Sequence, residues 1–100
     1  MTELQKYSTD INKLCSLHKV KSLYAFGSVL TSSFGSESDI DLIVDFEPVD
    51  INLYADNYYD LKFSLQDILH RNIDLLEAKA IKNPFFLKTI NKHRQLLYGS

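Results

Sequence analysis

Cysteine, proline and glycine are scarce in this sequence, and so are the structures that depend on them. Its 100 residues contain 1 cysteine, 2 prolines and 3 glycines. The single cysteine, Cys15, excludes an intrachain disulfide and a thiolate zinc site, and its position on an apolar helical stripe favours core packing over nucleophilic chemistry. Because 45% of the residues are hydrophobic, the composition is typical of one folded domain covering residues 1–100.

Long apolar runs are also missing. No segment approaches the ~20 apolar residues that a membrane-spanning helix needs. The first 14 positions mix acids with bases and contain no apolar block of the kind found in secretion signals. These two absences predict a cytoplasmic protein.

Cations are missing from the middle of the chain. From Ser22 to Leu61 there is no Lys or Arg, whereas eight acids fall in this stretch. Nucleic acids and anionic membranes require clustered cations, so neither is expected as a main partner. A bound cation is the functional interpretation and a solvated acidic face the structural one, and charge alone does not separate them. The eight acids are Glu37, Asp39, Asp41, Asp45, Glu47, Asp50, Asp56 and Asp60.

Apolar residues recur at helical spacing in some segments and alternate with polar residues in others. This pattern predicts a small α/β (α+β) domain, with a mixed sheet of three or slightly more strands covered by about four helices. Asn83 and Pro84 are a typical helix start, and we expect that last helix to continue to Gly99. Helices are predicted at 4–18, 29–34, 54–68 and 83–99, and strands at 22–26, 39–46 and 72–76.

Two acids begin the second predicted strand. Asp39 and Asp41 are separated by one residue, so their side chains point to the same face with Cα atoms ~6.6–6.8 Å apart. Two carboxylates in this relation can converge on one metal ion or bracket a pair. Asp is a poor strand former, and its presence here has a local cost. For the acid pair alone, a solvent-exposed strand face remains the simpler explanation.

A Gly-Ser pair follows the first predicted strand. Gly27 allows the backbone to approach a ligand closely, and Ser28 offers a hydroxyl beside the free N–H groups of a helix start, where phosphates bind. Taken alone, the pair is equally compatible with an ordinary turn and a helix cap.

The two motifs together are much more specific than either one. The segment FGSVLTSSFGSESDIDLIVDF, with ten residues between Ser28 and Asp39, resembles the signature of the polymerase-beta-type nucleotidyltransferase superfamily. It is most similar to the smallest branch of that superfamily, the minimal nucleotidyltransferase (MNT) domains. The later segment RNIDLLEAKAIKNPFF resembles the third strand of the family, whose acid maps to Asp74. Glu77 is the alternative, although we expect it to lie beyond the strand.

The resemblance implies a reaction and a set of site residues. A hydroxyl of a protein or small molecule would attack the α-phosphate of a nucleoside triphosphate, with ATP as the expected donor, and pyrophosphate would leave. Two Mg²⁺ ions ~3.5–4 Å apart would neutralise the developing charge. Nucleotide binding maps to Gly27, Ser28 and Ser38, and metal binding and catalysis map to Asp39, Asp41 and Asp74. The last of these would also help to deprotonate the attacking hydroxyl.

The resemblance also implies a partner. MNT domains are commonly paired with HEPN-type helical proteins in toxin–antitoxin systems, where the MNT member is the antitoxin. A domain of this size has little surface to cover both a nucleotide base and an acceptor, so a partner or a second copy of the chain is expected to complete the site.

One departure from the family pattern leaves other functions open. Many relatives carry an Arg in the loop after Gly-Ser, whereas this chain has only Arg71 and Arg94. The alternative function is therefore a non-catalytic antitoxin or binding protein that acts by contact with its partner, and a purely structural acidic domain is the third. The missing cation could come from a partner chain or from Lys19, Lys21 or Lys62.

Overall fold

A mixed four-stranded sheet organises the part of the protein that a computed structural model describes, residues 4–27 and 39–99. The short helix predicted at 29–34 lies outside the described residues, as do Ser28 and Ser38. No helix in the described ranges is both long and apolar enough to cross a membrane. In chain order the elements are a 3-10 turn at Gln5–Tyr7, α1 Ser8–Leu17, β1 Val20–Phe26, β2 Ile40–Phe46, α2 Ile51–Leu69, β3 Ile73–Glu77, a 3-10 turn at Ala78–Ala80, α3 Pro84–Lys92 and β4 Arg94–Gly99.

The sheet has the strand order β3-β2-β1-β4. Strand β1 is antiparallel to both β2 and β4, whereas β2 and β3 are parallel. A parallel pair needs a crossover connection, and α2 provides it. As a result, the last residue of β1 and the first residues of the other three strands meet at one end of the sheet, which we call the upper end. This mixed α/β arrangement confirms the predicted fold class.

The first face of the sheet carries the main core. Ile40, Leu42, Val44 and Phe46 alternate along β2 and are buried, as the sequence predicts. They pack with the inner residues of α1 and α2, and each fully buried Leu or Ile stabilises the fold by ~1.5–3 kcal/mol. Cys15 is in the same cluster, and burial raises the pKa of its thiol to about 12. The prediction that this cysteine packs rather than reacts is therefore confirmed.

The second face is covered in part by α3. The ring of Phe86 contacts the ring of Phe26 edge to face, with centroids 6.2 Å apart. Ile43 and Ile90 are buried although both lie outside the main cluster. The Asn83 side chain caps α3 by accepting hydrogen bonds from the N–H groups of Phe85 and Phe86, so the predicted helix start is confirmed.

The prediction that the last helix continues to Gly99 is wrong. Helix α3 ends at Lys92, and the chain turns at His93 into β4, which pairs with β1. A short apolar run such as Leu96 to Tyr98 fits either periodicity, and tertiary pairing decides between them. Without β4, the backbone groups along one side of β1 would have no sheet partner. Gly99 has φ +85°, and a Cβ atom there would lie 2.0 Å from the carbonyl oxygen of Lys21.

Candidate functional site

The register of the parallel strands brings two distant acids together at the upper end of the sheet. Asp41 of β2 and Asp74 of β3 are direct partners, so their side chains leave the second face side by side, on strands ~4.8 Å apart. Asp39 lies two residues before Asp41 and is exposed, as is Asp74, whereas Asp41 is half-buried. The three acids singled out in the sequence therefore share one end and one face of the sheet.

The three carboxylates interact electrostatically. The pKa of Asp41 is raised above its ordinary value, first because burial disfavours the charged form and then because Asp74 and Asp39 are negative. Within residues 4–27 and 39–99, no three His, Cys, Asp or Glu side chains already form a metal-binding cluster. Neighbouring carboxylates repel each other when ionised, and a cation between them would remove that cost. Carboxylates are also the side chains that Mg²⁺ prefers, so the donor set fits this ion.

Gly27 lies directly against the carboxylate of Asp41. It follows the last residue of β1 and has φ +75°, a conformation that other residues rarely adopt. A Cβ atom at this position would lie 2.6 Å from Oδ2 of Asp41. Gly27 of the Gly-Ser motif and Asp41 of the acid pair thus meet in space, as the combined motif implies. The nucleotide-binding roles of Ser28 and Ser38 stay predictions, because both lie outside the described residues.

Glu77 is placed differently from the prediction. It is the last residue of β3 rather than a residue beyond the strand. Because side chains alternate along a strand, Glu77 and Asp74 point to opposite faces. Glu77 lies beside Tyr54 of α2, and burial followed by this carboxylate raises the pKa of the Tyr54 hydroxyl. Of the two candidate acids, only Asp74 shares the face of Asp41.

A tyrosine on α2 supports β3 from the other side. The hydroxyl of Tyr58 donates a hydrogen bond to the carbonyl oxygen of Leu75, which follows Asp74 in the strand. Burial raises the pKa of Tyr58, and Tyr59, Asp74 and Glu77 raise it further. The hydroxyl therefore stays protonated and holds the strand that presents Asp74. The sequence indicates only that this tyrosine lies at core spacing, because a cross-element hydrogen bond leaves no local pattern.

Arg94 lies at the same end of the sheet as the three acids, a placement that the sequence pattern did not predict. It was assigned to a helix, whereas it begins β4 and is the direct partner of Phe26, which is also the partner of Asp41. Its guanidinium lies 3.9 Å from the ring centroid of Tyr24. This stacked pair borders a cavity of about 290 Å³ on the second face, and Lys21 lines it too. Because the sequence pattern predicted a helix as far as Gly99, it gave no pairing between β4 and β1. Without that pairing, the position of Arg94 opposite Phe26 could not be predicted.

The fold of the described residues is that of nucleotidyltransferases. A structure provisionally described as a minimal nucleotidyltransferase superposes with a TM-score of 0.75 at 24% identity, covering 91% of this chain and 89% of that one. A toxin–antitoxin complex with AMP-PNP gives 0.71 at 22% identity, with 93% and 73% coverage. A Shewanella oneidensis complex of an MNT antitoxin with a tri-AMPylated HEPN toxin gives 0.65 at 21%, with 96% and 72% coverage.

Sequence comparison defines the family. The profile described as Polymerase beta, Nucleotidyltransferase matches residues 9–100. Two Methanocaldococcus jannaschii proteins with the provisional name protein adenylyltransferase are each 36% identical to this chain over 75 residues, which cover 75% of the chain and 74% of each relative. The chain therefore belongs to the polymerase-beta-type nucleotidyltransferase family, and it is a nucleotidyltransferase.

Proposed function

We propose that this nucleotidyltransferase transfers AMP from ATP to a hydroxyl group, using Asp39, Asp41 and Asp74 to hold two Mg²⁺ ions. The observation that carries the proposal is the direct pairing of Asp41 with Asp74, with Gly27 packed against the Asp41 carboxylate. An acid pair on a solvated strand face needs neither a third acid in register nor a glycine contact. A metal–phosphate site can use both, the acid as a further metal ligand and the glycine for close approach of the backbone to phosphate.

The reaction requires charge neutralisation and positioning. When bound, Mg²⁺ neutralises charge on the phosphate oxygens and brings the attacking and leaving groups into line. Gly27 lets the backbone approach the phosphates, and Asp41 and Asp39 hold the nucleotide side of the site. Asp74 accepts the proton of the attacking hydroxyl. As it does so, the hydroxyl oxygen forms a bond to the α-phosphorus. The bond from that phosphorus to the bridging oxygen then breaks, and pyrophosphate leaves.

We also propose that the acceptor is a HEPN-type helical protein and that the chain is the antitoxin of the pair. The support is the fold shared with MNT antitoxins, together with the protein adenylyltransferase name of the relatives. The partner, or a second copy of this chain, would cover the nucleotide above the exposed side chains of Asp39 and Asp74. We place this reaction in the cytoplasm, where ATP and Mg²⁺ are both available.

The decisive experiment measures label transfer from α-phosphate-labelled ATP to the HEPN-type partner in the presence of Mg²⁺. We expect transfer by the wild type and none by the Asp39→Asn/Asp41→Asn double variant. Asp56→Asn/Asp60→Asn is the matched control, because it removes the same charge from two exposed positions on α2. Transfer that persists in the first variant, or that is lost equally in the control, would overturn the assignment of the site.

Neutralisation by contact is the alternative function. It is favoured by the absence of an Arg from the loop after Gly-Ser. In this case the wild type would transfer no label. The wild type and the Asp39→Asn/Asp41→Asn variant would nevertheless inhibit the partner to the same extent. Partner inhibition measured with and without ATP separates the two functions.

A further inference from the structure

One residue from each strand forms a row across the upper end of the sheet. Asp74 pairs with Asp41, Asp41 pairs with Phe26, and Phe26 pairs with Arg94. Direct partners share a face, so all four side chains start from the second face. We call these four residues the cross-strand row. It has two carboxylates at one side and a guanidinium at the other.

We propose that Arg94 binds the β- and γ-phosphates of the nucleotide and so replaces the arginine that this chain lacks in its Gly-Ser loop. This inference rests on the proposed function, because it requires a nucleotide whose α-phosphate lies at Asp41. It concerns a residue to which neither the family resemblance nor the sequence pattern gives a role.

Distance supports the assignment. Adjacent strands lie ~4.8 Å apart, so the backbones at Asp41 and Arg94 are separated by ~10 Å, with β1 between them. Gly27 follows Phe26, the residue in the middle of that gap. A phosphate chain that starts at the Asp41 carboxylate and crosses the Gly27 backbone therefore extends toward β4. The Arg94 guanidinium lies over the Tyr24 ring, and rotation of this long side chain would bring it toward the same space from the β4 side.

Charge supports it as well. The β- and γ-phosphates carry most of the negative charge of ATP, and the cross-strand row offers a guanidinium on the side away from the carboxylates that would hold the metal ions. The guanidinium lies on the Tyr24 ring at an exposed position, and such a contact is readily exchanged for bidentate hydrogen bonds to phosphate. A planar guanidinium suits that geometry better than an ammonium group does.

The three lysines suggested by the sequence and the second arginine are less well placed. Lys19 precedes β1 and Lys21 is its second residue, so both lie toward the opposite end of the sheet from Gly27. Lys62 lies on α2, which packs on the first face. Arg71 precedes β3, on the far side of the carboxylates from Gly27, and it already interacts with other groups of the protein. Among the described residues, Arg94 is the cation whose register places it across Gly27 from Asp41.

The test compares affinities for AMP, ADP and ATP with Mg²⁺ by calorimetric titration, using the wild type, Arg94→Gln and Arg94→Lys. We expect Arg94→Gln to weaken ATP binding by roughly 10- to 100-fold while AMP binding changes by less than about threefold. Arg94→Lys keeps the positive charge but loses the paired N–H donors of the guanidinium. Its ATP affinity should therefore lie between those of the wild type and Arg94→Gln. Lys21→Gln is the matched control: it removes one charge from the same cavity, and both affinities should stay within about twofold. Circular dichroism of each variant verifies that the fold is intact.

Two results would overturn the assignment of Arg94 while leaving the proposed function intact. One is equal ATP affinity in the wild type and Arg94→Gln, and the other is an equal loss of AMP and ATP affinity. If the folded wild type binds no ATP at saturating Mg²⁺, the proposed function fails, and the role of Arg94 fails with it.

Discussion

Gly27 and Asp41 are in such close contact that a single methyl group would not fit between them. A Cβ atom on Gly27 would lie 2.6 Å from Oδ2 of Asp41, and the glycine has φ +75°. The motif after β1 and the acid in β2 thus depend on each other sterically. The chemistry proposed for the site requires this contact, because it lets the backbone approach whatever Asp41 holds.

This contact predicts the effect of Gly27→Ala. We expect the free energy of unfolding to fall by about 1–3 kcal/mol, because alanine is strained at this φ and its methyl group displaces the Asp41 carboxylate. Urea denaturation measures the change. In the Asp41→Ala background the carboxylate is absent, so Gly27→Ala should cost less stability there than it does in the wild type. If Gly27→Ala lowers the free energy of unfolding equally in the two backgrounds, the contact with Asp41 does not constrain Gly27.

The raised pKa of Asp41 predicts how stability depends on pH when no metal is bound. Between the ordinary Asp pKa of 3.8 and the raised value, the folded protein binds more protons than the unfolded chain. Stability contributed by this group is therefore present at low pH and is lost as the pH rises through that window. Asp41→Asn cannot ionise, so in EDTA at pH 7 we expect it to be more stable than the wild type.

Denaturation of both proteins from pH 4 to pH 7 tests this expectation. The excess stability of Asp41→Asn should grow as the pH rises and should be reversed when Mg²⁺ and ATP are added, since only the wild type gains from binding them. Asp60→Asn, at an exposed position, is the control and should follow the wild type. A variant less stable than the wild type in EDTA at neutral pH would contradict the electrostatic explanation.

The opposite orientations of Asp74 and Glu77 predict different effects on activity. Asp74→Asn removes a carboxylate from the face of Asp41, and we expect AMP transfer to fall by at least roughly 100-fold. Glu77→Gln leaves that face unchanged and removes a charge beside Tyr54, so transfer should persist. Initial rates of label transfer at saturating ATP distinguish the two variants. If Glu77→Gln is the inactive one, the third acid is wrongly assigned.

The sequence predicted the parts of this site that local patterns encode. Strand alternation puts Asp39 and Asp41 on one face, and Gly27 is recognisable after a buried strand, although their roles come from the combined motif and the family resemblance. The position of Asp74 beside Asp41 depended on the family resemblance, because the register of a parallel pair is set by packing over a crossover helix. The position of Arg94 opposite Phe26 could not be predicted either, because strand pairing again determines it. The run after His93 fits a helix or a strand locally, and only the open side of β1 decides which one forms.

The pairing of β4 with β1 leads to a final prediction about Gly99. Its φ is +85°, and a Cβ atom there would lie 2.0 Å from the carbonyl oxygen of Lys21, a backbone atom that cannot rotate away. We expect Gly99→Ala to lower the free energy of unfolding by about 1–3 kcal/mol. Gly99→Asn separates the two causes, because asparagine tolerates positive φ and still has a Cβ atom. Since the clash dominates, chemical denaturation should show that asparagine is no better than alanine, whereas recovery to wild-type stability would mean that strain in φ alone requires the glycine.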